Sequence, residues 1–209
     1  MSLDRAKKIK VILFDVDGVL TDGTLWFIPA PIPGPRSTDS QARQHANSPG
    51  YGIVSQDMVE VKGFNAHDGT AISLAHLGGL KAGIVTKRIS ETVALRARDL
   101  HLDYVFQGAA NKSEVLDKVL AESGVREDEI AYVGDDVIDL PIMRRCGLAI
   151  AVANSRPQVL EMAHYRTPSK GGEGAARDAV EYILKAQGKL EEVIEAYIFA
   201  RSSVSSSPK

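Results

Sequence analysis

The chain has 209 residues, of which 44% are hydrophobic and 25% are charged, a balance typical of a soluble globular protein with a sizeable core. Its formal net charge of −2 lacks the basic excess of nucleic-acid and anionic-membrane binders, so neither kind of partner is expected. Cys146 is the only cysteine, which excludes an internal disulfide, and no apolar run is long enough to span a membrane. These features predict a cytoplasmic protein.

Short β-branched runs alternate with helical patterns along most of the chain. The predicted strands, in chain order, are residues 10–17, 81–86, 104–108, 130–136 and 148–154. The predicted helices are residues 68–80, 90–100, 111–124, 141–147 and 173–201. Asp68 and Ser90 are expected to cap the first two helices. Gly78 and Gly79 are expected to end the first helix, and Gly188 to interrupt the last.

This alternation predicts a single α/β domain over residues 1–209, with a Rossmann-like, doubly wound parallel sheet and helices on both faces. In such sheets, ligands bind beyond the carboxyl ends of the strands. Residues 24–62 depart from the pattern, because β-like stretches there flank a Pro- and Ser-rich loop over residues 29–50. We expect a protruding β-hairpin flap with an oversized tip in this region, and a disordered tail over residues 201–209.

Polar side chains follow four separate predicted strands. They are Asp15 and Asp17, Thr86, Asn111 and Lys112, and Asp135, Asp136 and Asp139. Each one alone could be an ordinary helix cap or surface charge, but together they are expected to meet at one edge of the sheet. Crowded carboxylates need a compensating cation, and oxygen-only ligands favour Mg²⁺, with Asp15 and Asp135 as the expected direct ligands.

A lysine and a threonine beside such a metal suit a phosphoryl group. Lys112 would supply a positive charge and Thr86 a hydrogen bond. One aspartate can then act as a nucleophile that forms an aspartyl-phosphate. A carboxylate two residues further on can protonate the leaving oxygen and later activate water. These residue types therefore predict the hydrolysis of a phosphate ester.

The stretches DVDGVLTDG, VTKR, NK and VGDDVIDLP, in this order, resemble the motifs of the haloacid dehalogenase superfamily of phosphohydrolases. The resemblance covers roughly residues 9–190. It implies that Asp15 is the nucleophile and a Mg²⁺ ligand, and that Asp17 is the general acid and base with its backbone carbonyl on the metal. The other implied roles are phosphoryl binding for Thr86 and Lys112, direct metal ligation for Asp135, and a supporting role for Asp136 and Asp139.

The intervals between the motifs of Asp17, Thr86 and Lys112 do not read as a folded cap domain, so the chain resembles the capless members. Among these, the stretches FNAHDG, VFQGAANK, AYVGDDVIDLPIM, GGEGAARD and LKAQGKL resemble the 3-deoxy-D-manno-octulosonate 8-phosphate (KDO 8-phosphate) phosphatases. Those enzymes are Mg²⁺-dependent homotetramers of lipopolysaccharide precursor synthesis. Their hairpins pack around a central axis, and a neighbour's residues help to close each site. The resemblance therefore implies KDO 8-phosphate as the substrate and a homotetrameric assembly.

Three residues, His67, Lys87 and Glu173, depart from the usual pattern of those phosphatases. They lie where the sugar acid should be recognised, so a nine-carbon keto-deoxy sugar acid phosphate or another sugar phosphate remains an alternative substrate. A non-enzymatic phospho-aspartate switch is the remote alternative. The residues expected to bind the substrate are Asp68, Gly69, Thr86, Lys87, Arg88, Asn111, Lys112 and Arg177. The two arginines would hold a carboxylate or else form surface ion pairs.

Overall fold

The strands of the protein form two separate sheets. The structure, a computed structural model, describes residues 2–29 and 58–204, with side chains as far as residue 199. The strands are β1 (Val11–Phe14), β2 (Trp26–Pro29), β3 (Met58–Val61), β4 (Lys81–Val85), β5 (Tyr104–Phe106), β6 (Ile130–Gly134), β7 (Leu148–Ala151) and β8 (Tyr165–Arg166). The helices are α1 (Ser2–Ala6), α2 (Ala66–Leu77), α3 (Glu91–Asp99), α4 (Lys112–Ser123), α5 (Leu140–Met143), α6 (Pro157–Met162), α7 (Ala175–Ala186) and α8 (Leu190–Val204).

Six strands form the central sheet in the order β5-β4-β1-β6-β7-β8, and all neighbouring strands are parallel. β1 lies in the middle, where Phe14 is level with Ile84 of β4 and with Val133 of β6. This arrangement confirms the predicted α/β fold with a doubly wound parallel sheet. Because β1, β4 and β6 are neighbours that run in the same direction, the residues that follow them meet at one edge of the sheet.

Two hydrophobic layers enclose the sheet, because successive side chains of a strand point to opposite faces. Ile12 and Phe14 of β1 belong to the layer that α2 and α7 cover. Val11 and Leu13 belong to the layer on the other face, which α4 and α5 cover. All four residues of β1 are buried, so this strand is a rigid support for the residue that follows it, Asp15.

β2 and β3 form an antiparallel pair at the two ends of the predicted hairpin flap. Trp26 pairs with Val61, and Pro29 pairs with Met58. Residues 30–57, and with them nearly all of the predicted loop, lie outside the described residues. A cap domain could be inserted before the Thr86 motif or after it. The interval after it, between β4 and α4, holds only α3 and β5. This second interval therefore contains no folded cap.

The start of α2 differs from the prediction, because Asp68 is not its N-cap. The N-cap is Asn65, whose side-chain oxygen accepts a 2.8 Å hydrogen bond from the backbone N–H of His67. Asn and Asp are equally good caps, so spacing alone does not choose between them. Ser90 does occupy the N-cap position of α3, but its side chain makes no capping hydrogen bond.

The helix ends agree more closely with the sequence. α2 ends before Gly78 and Gly79, and Gly188, with φ of +70°, separates α7 from α8. α8 continues to Val204, so the helix extends into the segment predicted as a disordered tail, and residues 205–209 lie outside the described residues. Within the described ranges, no helix combines the length and the apolar character needed to cross a bilayer.

Candidate active site

The loops that follow β1, β4 and β6 line a cavity of about 250 Å³ at the carboxyl edge of the sheet. Asp15 directly follows β1, Thr86 directly follows β4, and Asp135 directly follows β6. The full set of lining residues is Asp15, Asp17, Thr86, Lys87, Arg88, Asp135, Asp136 and Ile138. The fold thus brings together carboxylates, cations and a hydroxyl group that lie far apart in the sequence.

A tight turn over Val16–Leu20 carries Asp17 and places Asp15 at its start. The backbone N–H of Val16 donates a 2.7 Å hydrogen bond to Oδ1 of Asp15, which orients that carboxylate. Gly18 has φ of +92°, and a Cβ atom at this position would lie 2.2 Å from Oδ2 of Asp135. Glycine is needed here because the missing side chain is what lets Asp135 approach the turn.

The loop before α7 packs directly against this turn. The backbone N–H of Gly172 donates a 2.9 Å hydrogen bond to the carbonyl oxygen of Val19. A Cβ atom on Gly171 would lie only 1.7 Å from the carbonyl oxygen of Gly18. The glycine pair at residues 171–172 therefore allows two backbone segments to touch, and the contact fixes the turn that carries Asp17.

Lys112 is buried next to Asp15 and contacts three side chains. Its Nζ lies 2.9 Å from Oδ1 of Asp15, 2.6 Å from Oδ1 of Asp139 and 3.0 Å from the hydroxyl oxygen of Tyr132. Burial by itself would lower the pKa of Lys112, but the carboxylates of Asp15 and Asp139 outweigh burial and raise the pKa. Lys112 therefore stays positively charged against the carboxylate of Asp15.

Asp139 is fully buried and connects Lys112 to the loop after β6. Its Oδ1 accepts hydrogen bonds from Lys112 and, at 2.7 Å, from the hydroxyl group of Tyr132. Its Oδ2 accepts hydrogen bonds from the backbone N–H groups of Asp135 at 3.0 Å and Asp136 at 3.2 Å. Both carboxylate oxygens already have donors, so Asp139 is suited to support the site and not to bind a metal ion.

Asp15 and Asp135 are the carboxylates that fit a metal ion. Oxygen atoms of Asp15, Asp135 and Asp139 lie within 4.8 Å of one another, but those of Asp139 are engaged as described above. Oδ1 of Asp135 is buried and has no hydrogen-bond partner among the described residues, as expected of an atom that binds a cation. An all-oxygen set of this kind suits a hard divalent ion such as Mg²⁺.

The electrostatic surroundings of these two carboxyl groups also favour a nearby divalent cation. Burial, followed by the negative charges of Asp15 and Asp139, raises the pKa of Asp135 to about 8. Burial also raises the pKa of Asp15 to about 7, although Lys112 opposes this shift. Two neighbouring carboxylates that resist ionisation near neutral pH would both be stabilised in their charged form by a divalent cation.

Asp17 is surrounded by charged side chains from other elements. Lys62, which follows β3, forms an ion pair with Oδ1 of Asp17. Arg88, from the loop after β4, has its Nε 3.8 Å from Oδ2 of Asp17. Glu60 of β3 contacts both cations, at 3.0 Å from Lys62 and 3.3 Å from Arg88. The base of the hairpin thus contributes directly to the surroundings of Asp17.

The sequence and fold of the chain match known hydrolases. A profile of the haloacid dehalogenase-like hydrolase family matches residues 82–177. The chain is 32% identical over 188 residues to the 3-deoxy-D-manno-octulosonate 8-phosphate phosphatase KdsC of Escherichia coli strain K12, and the alignment covers 90% of this chain and 86% of that protein. The chain belongs to the haloacid dehalogenase-like hydrolase family.

Solved structures of haloacid dehalogenase-like hydrolases share the fold over nearly the whole chain. The 3-deoxy-D-manno-octulosonate 8-phosphate phosphatase of Yersinia pestis is 33% identical with a TM-score of 0.75, covering 91% of this chain and 88% of that one. The phosphatase of the same name from Moraxella catarrhalis, solved with magnesium, phosphate and KDO, is 30% identical with a TM-score of 0.77, covering 93% and 97%. The chain is a phosphatase of this family, and its cofactor is Mg²⁺.

The structure places two of the predicted substrate-binding residues at a helix contact outside the cavity. Asp68 is buried, and its Oδ1 accepts a 3.1 Å hydrogen bond from the backbone N–H of Arg177 near the start of α7. The guanidinium group of Arg177 pairs with Glu181 on the same helix. Burial raises the pKa of Asp68 to about 6. Asp68 therefore accepts a hydrogen bond from the first turn of α7, whose N-cap residue is Gly174, and does not cap α2.

Gly69 and Asn111 also have structural contacts outside the lining of the cavity. A Cβ atom on Gly69 would lie 2.4 Å from Nη2 of Arg96, so this glycine makes room for a neighbouring side chain. Asn111 caps α4, because its side-chain oxygen accepts a 3.1 Å hydrogen bond from the backbone N–H of Ser113. Neither residue lines the cavity, so their contacts with the substrate stay a prediction.

Three residues of the site were not identified from the sequence, namely Glu60, Lys62 and Tyr132. The stretch MVEVK at residues 58–62 does carry a signal, because charges at alternate positions among apolar residues point to one face of a strand. Tyr132 carries none. It lies within the apolar run of β6, where an aromatic residue is normally part of the core.

Proposed function

We propose that this phosphatase hydrolyses KDO 8-phosphate to KDO and inorganic phosphate through an aspartyl-phosphate on Asp15. The observation that carries the proposal is the placement of Asp15 between the Lys112 ammonium group, the Asp17 turn and Oδ1 of Asp135, which has no hydrogen-bond partner in the part of the chain that the structure describes. The names of the relatives support the choice of substrate, since proteins 30–33% identical to this chain are described as KDO 8-phosphate phosphatases.

Asp15 is the nucleophile of the proposed reaction. One carboxylate oxygen of Asp15 attacks phosphorus, the bond between phosphorus and the sugar oxygen breaks, and Asp17 donates a proton to that leaving oxygen. Water then attacks the phosphorus of the aspartyl-phosphate while Asp17 takes up a proton from that water molecule. The bond between phosphorus and the Asp15 oxygen breaks, which releases phosphate and restores both aspartates. Lys112 stays beside Asp15 in both steps and offsets the negative charge that gathers there.

Thr86 and the metal-binding residues complete the proposed phosphoryl site. The Oγ1 of Thr86 accepts a 3.2 Å hydrogen bond from the backbone N–H of Arg88, which leaves the hydroxyl hydrogen to be donated to a phosphoryl oxygen. Asp15, Asp135 and the backbone carbonyl of Asp17 would hold Mg²⁺, with Asp136 as a supporting residue. When bound, Mg²⁺ supplies positive charge to the phosphoryl oxygens.

Lys87 and Arg88 are the proposed contacts for the carboxylate of the sugar acid. Both line the cavity, and a guanidinium group can bind a carboxylate through two parallel hydrogen bonds. Arg88 already lies 3.3 Å from Glu60, so binding the substrate would require part of that ion pair to be exchanged. A nine-carbon keto-deoxy sugar acid phosphate has the same carboxylate and remains the second candidate substrate.

A panel of phosphate monoesters tests the proposed substrate. Phosphate release would be measured with Mg²⁺ against KDO 8-phosphate, its nine-carbon analogues and common hexose phosphates. We expect the highest kcat/KM with KDO 8-phosphate. Asp15→Asn serves as the control for contaminating phosphatases, because an amide is a poor nucleophile and this variant should not turn over. A higher kcat/KM with another monoester would replace KDO 8-phosphate as the substrate.

We also propose that the protein is a homotetramer whose subunits meet through the hairpin, and that it acts in lipopolysaccharide precursor synthesis in the cytoplasm. Apolar side chains are exposed on both strands of the hairpin, including Trp26 at 61%, Ile28 at 47% and Val59 at 42%. Such a surface is costly in water unless another surface covers it. Light scattering coupled to size-exclusion chromatography should give four subunits for the native chain and fewer for Trp26→Glu.

A further inference from the structure

Lys62 is buried at the base of the hairpin, beside Asp17. Only 1% of its side chain is exposed, and its ammonium group forms ion pairs with Asp17 and, at 3.0 Å, with Glu60. A buried ammonium group is strongly unfavourable unless opposite charges compensate for it. These two carboxylates supply that compensation, so the position of Lys62 and the position of Asp17 depend on each other.

Arg88 completes a ring of four alternating charges with Asp17, Lys62 and Glu60. Its Nη2 lies 3.3 Å from Oε1 of Glu60, and its Nε lies 3.8 Å from Oδ2 of Asp17. Each oxygen of the Asp17 carboxylate therefore faces a cation, with Lys62 at Oδ1 and Arg88 at Oδ2. The side chains of Glu60 and Arg88 are 10% and 19% exposed, so solvent screens this ring only weakly.

We propose that Lys62 is a positioning residue for Asp17. It holds the Asp17 carboxyl group where that group can reach the leaving oxygen of the substrate. This inference rests on the proposed acid–base role of Asp17. It also gives the hairpin a part in catalysis within its own subunit, because Lys62 belongs to the segment that leaves β3 while Asp17 belongs to the turn after β1.

The positioning role predicts a dependence on the leaving group. An alkyl phosphate releases a strongly basic alkoxide, which needs a proton from Asp17, whereas p-nitrophenyl phosphate releases a stable phenolate that does not. A displaced general acid therefore slows the first kind of substrate far more than the second. If Lys62 only anchored the hairpin, its loss would lower the activities on an alkyl and an aryl phosphate to the same extent, as long as neither substrate carries the carboxylate proposed to bind Arg88.

The first experiment compares Lys62→Met with the native chain on KDO 8-phosphate, on a hexose phosphate, which is an alkyl phosphate without the carboxylate, and on p-nitrophenyl phosphate. kcat/KM is the quantity to compare, because it reports the steps up to departure of the leaving group. We expect kcat/KM for both alkyl phosphates to fall at least about tenfold further than kcat/KM for the aryl phosphate, since general acid catalysis contributes about 10²–10⁴-fold. A loss on the hexose phosphate equal to the loss on the aryl phosphate would overturn the proposal.

A double-mutant cycle separates Lys62 from the other residues of the site. In an Asp17→Asn background, Lys62→Met should have little further effect on the sugar phosphate, because the group that Lys62 positions is already inactive. An additive loss in that background would also overturn the proposal. Lys118→Met is the matched control, because Lys118 is an exposed lysine on α4. It should leave the activities on all three substrates unchanged.

Two further variants keep the test decisive if Lys62→Met does not fold. Lys62→Arg retains the charge and should restore most of the selectivity for the sugar phosphate. Glu60→Gln removes the charge that pairs with Lys62 and Arg88. It should show the same selective loss of kcat/KM as Lys62→Met, but a smaller one. Should the native chain prefer another alkyl phosphate, the proposed substrate fails, but the same comparison tests Lys62 with the preferred substrate.

Discussion

The hydroxyl group of Tyr132 donates a 2.7 Å hydrogen bond to Oδ1 of Asp139 in the buried interior of the protein. The same hydroxyl oxygen accepts a 3.0 Å hydrogen bond from Lys112. Burial and the nearby carboxylate of Asp139 raise the pKa of Tyr132 well above its ordinary value, so the phenol stays protonated and remains a donor. Tyr132 thereby links the lysine beside Asp15 to the aspartate that orients the loop after β6.

Replacing Tyr132 with Phe should weaken both the fold and the site. Removing the hydroxyl group leaves buried, charged partners with one hydrogen bond fewer, which should lower the free energy of unfolding by about 2 kcal/mol. We expect kcat to fall on the order of tenfold, equivalent to about 1.4 kcal/mol in the barrier, because Lys112 loses one of its three contacts. Urea denaturation and phosphate release measure the two effects.

Tyr182→Phe is the matched control for that variant. Tyr182→Phe also loses a hydroxyl hydrogen bond, a 2.8 Å contact with Oγ of Ser2, and neither Tyr182 nor Ser2 lines the cavity. This variant should lose some stability while keeping the native kcat. If the two variants had the same kcat, the hydroxyl group of Tyr132 would contribute to stability and not to catalysis.

Gly18→Ala should abolish the metal site while the sheet remains folded. The new Cβ atom would overlap with Oδ2 of Asp135 at 2.2 Å, and the φ of +92° adds about 1–2 kcal/mol of backbone strain. Asp135 must therefore move away from Asp15. We expect a loss of Mg²⁺-dependent stabilisation in thermal unfolding, together with a loss of phosphatase activity.

Gly124→Ala separates backbone strain from the overlap at the site. Gly124 follows α4 with φ of +69°, but a Cβ atom there would meet no atom within 4 Å. It should therefore show a comparable strain, without a change in Mg²⁺ response or kcat. A Gly18→Ala protein that still responded to Mg²⁺ as the native chain does would contradict the assignment of Asp135 as a ligand.

Removal of the metal should make the stability of the protein depend on pH in a defined direction. The pKa values of Asp15 and Asp135 in the folded state are about 7 and about 8, above their ordinary value of 3.8. Between pH 3.8 and the folded-state pKa of each group, the folded state binds more protons than the unfolded state. The free energy of unfolding therefore falls as pH rises through this window. For each group the slope is at most about 1.4 kcal/mol per pH unit.

Mg²⁺ should oppose this loss, because it compensates the same charges and competes with protons for the same oxygens. In EDTA, the midpoint of urea unfolding should therefore decrease from pH 6 to pH 8. The stabilisation gained by adding Mg²⁺ should be larger at pH 8 than at pH 6. Asp135→Asn should flatten both dependences, and a midpoint that rose with pH in EDTA would rule out these shifts.

Asp68→Ala should affect stability and not substrate binding. Loss of the Asp68 carboxylate removes the acceptor for the N–H of Arg177 in the first turn of α7, and the loss of one such hydrogen bond typically costs about 1 kcal/mol. The KM for the sugar phosphate should change little, because Asp68 does not line the cavity. A large increase in KM with unchanged stability would restore the substrate-binding role predicted from the sequence.

Much of the site could be anticipated from the sequence because each of its parts has a local signature. The apolar run before Asp15 marks a buried strand, and the parallel arrangement of such strands places Asp15, Thr86 and Asp135 at one edge. The choice of Mg²⁺ also follows from residue type, because carboxylates without Cys or His ligands favour a hard cation.

Helix capping shows where local patterns do not suffice. Asn65 and Asp68 are both acceptable caps for α2. The structure uses Asn65, whereas Asp68 accepts a hydrogen bond from the first turn of α7. The partner of Asp68 is the backbone of Arg177, more than a hundred residues further along the chain. No local pattern indicates such a contact, because α2 and α7 are far apart in the sequence and meet only where they pack side by side on one face of the sheet.

The sequence by itself determined the order of five strands of the sheet and of the helices between them, but not β8, α1 or α6. It also determined the sheet edge at which the polar residues gather and the class of metal they suit, because hydrophobic periodicity and ligand chemistry are local properties. Only the tertiary structure decided that Lys62 faces Asp17, that Tyr132 bonds to both Lys112 and Asp139, and that the oxygens of Asp139 are not available to a metal. These are contacts between segments far apart in the chain, and their partners are chosen by the packing of buried charges.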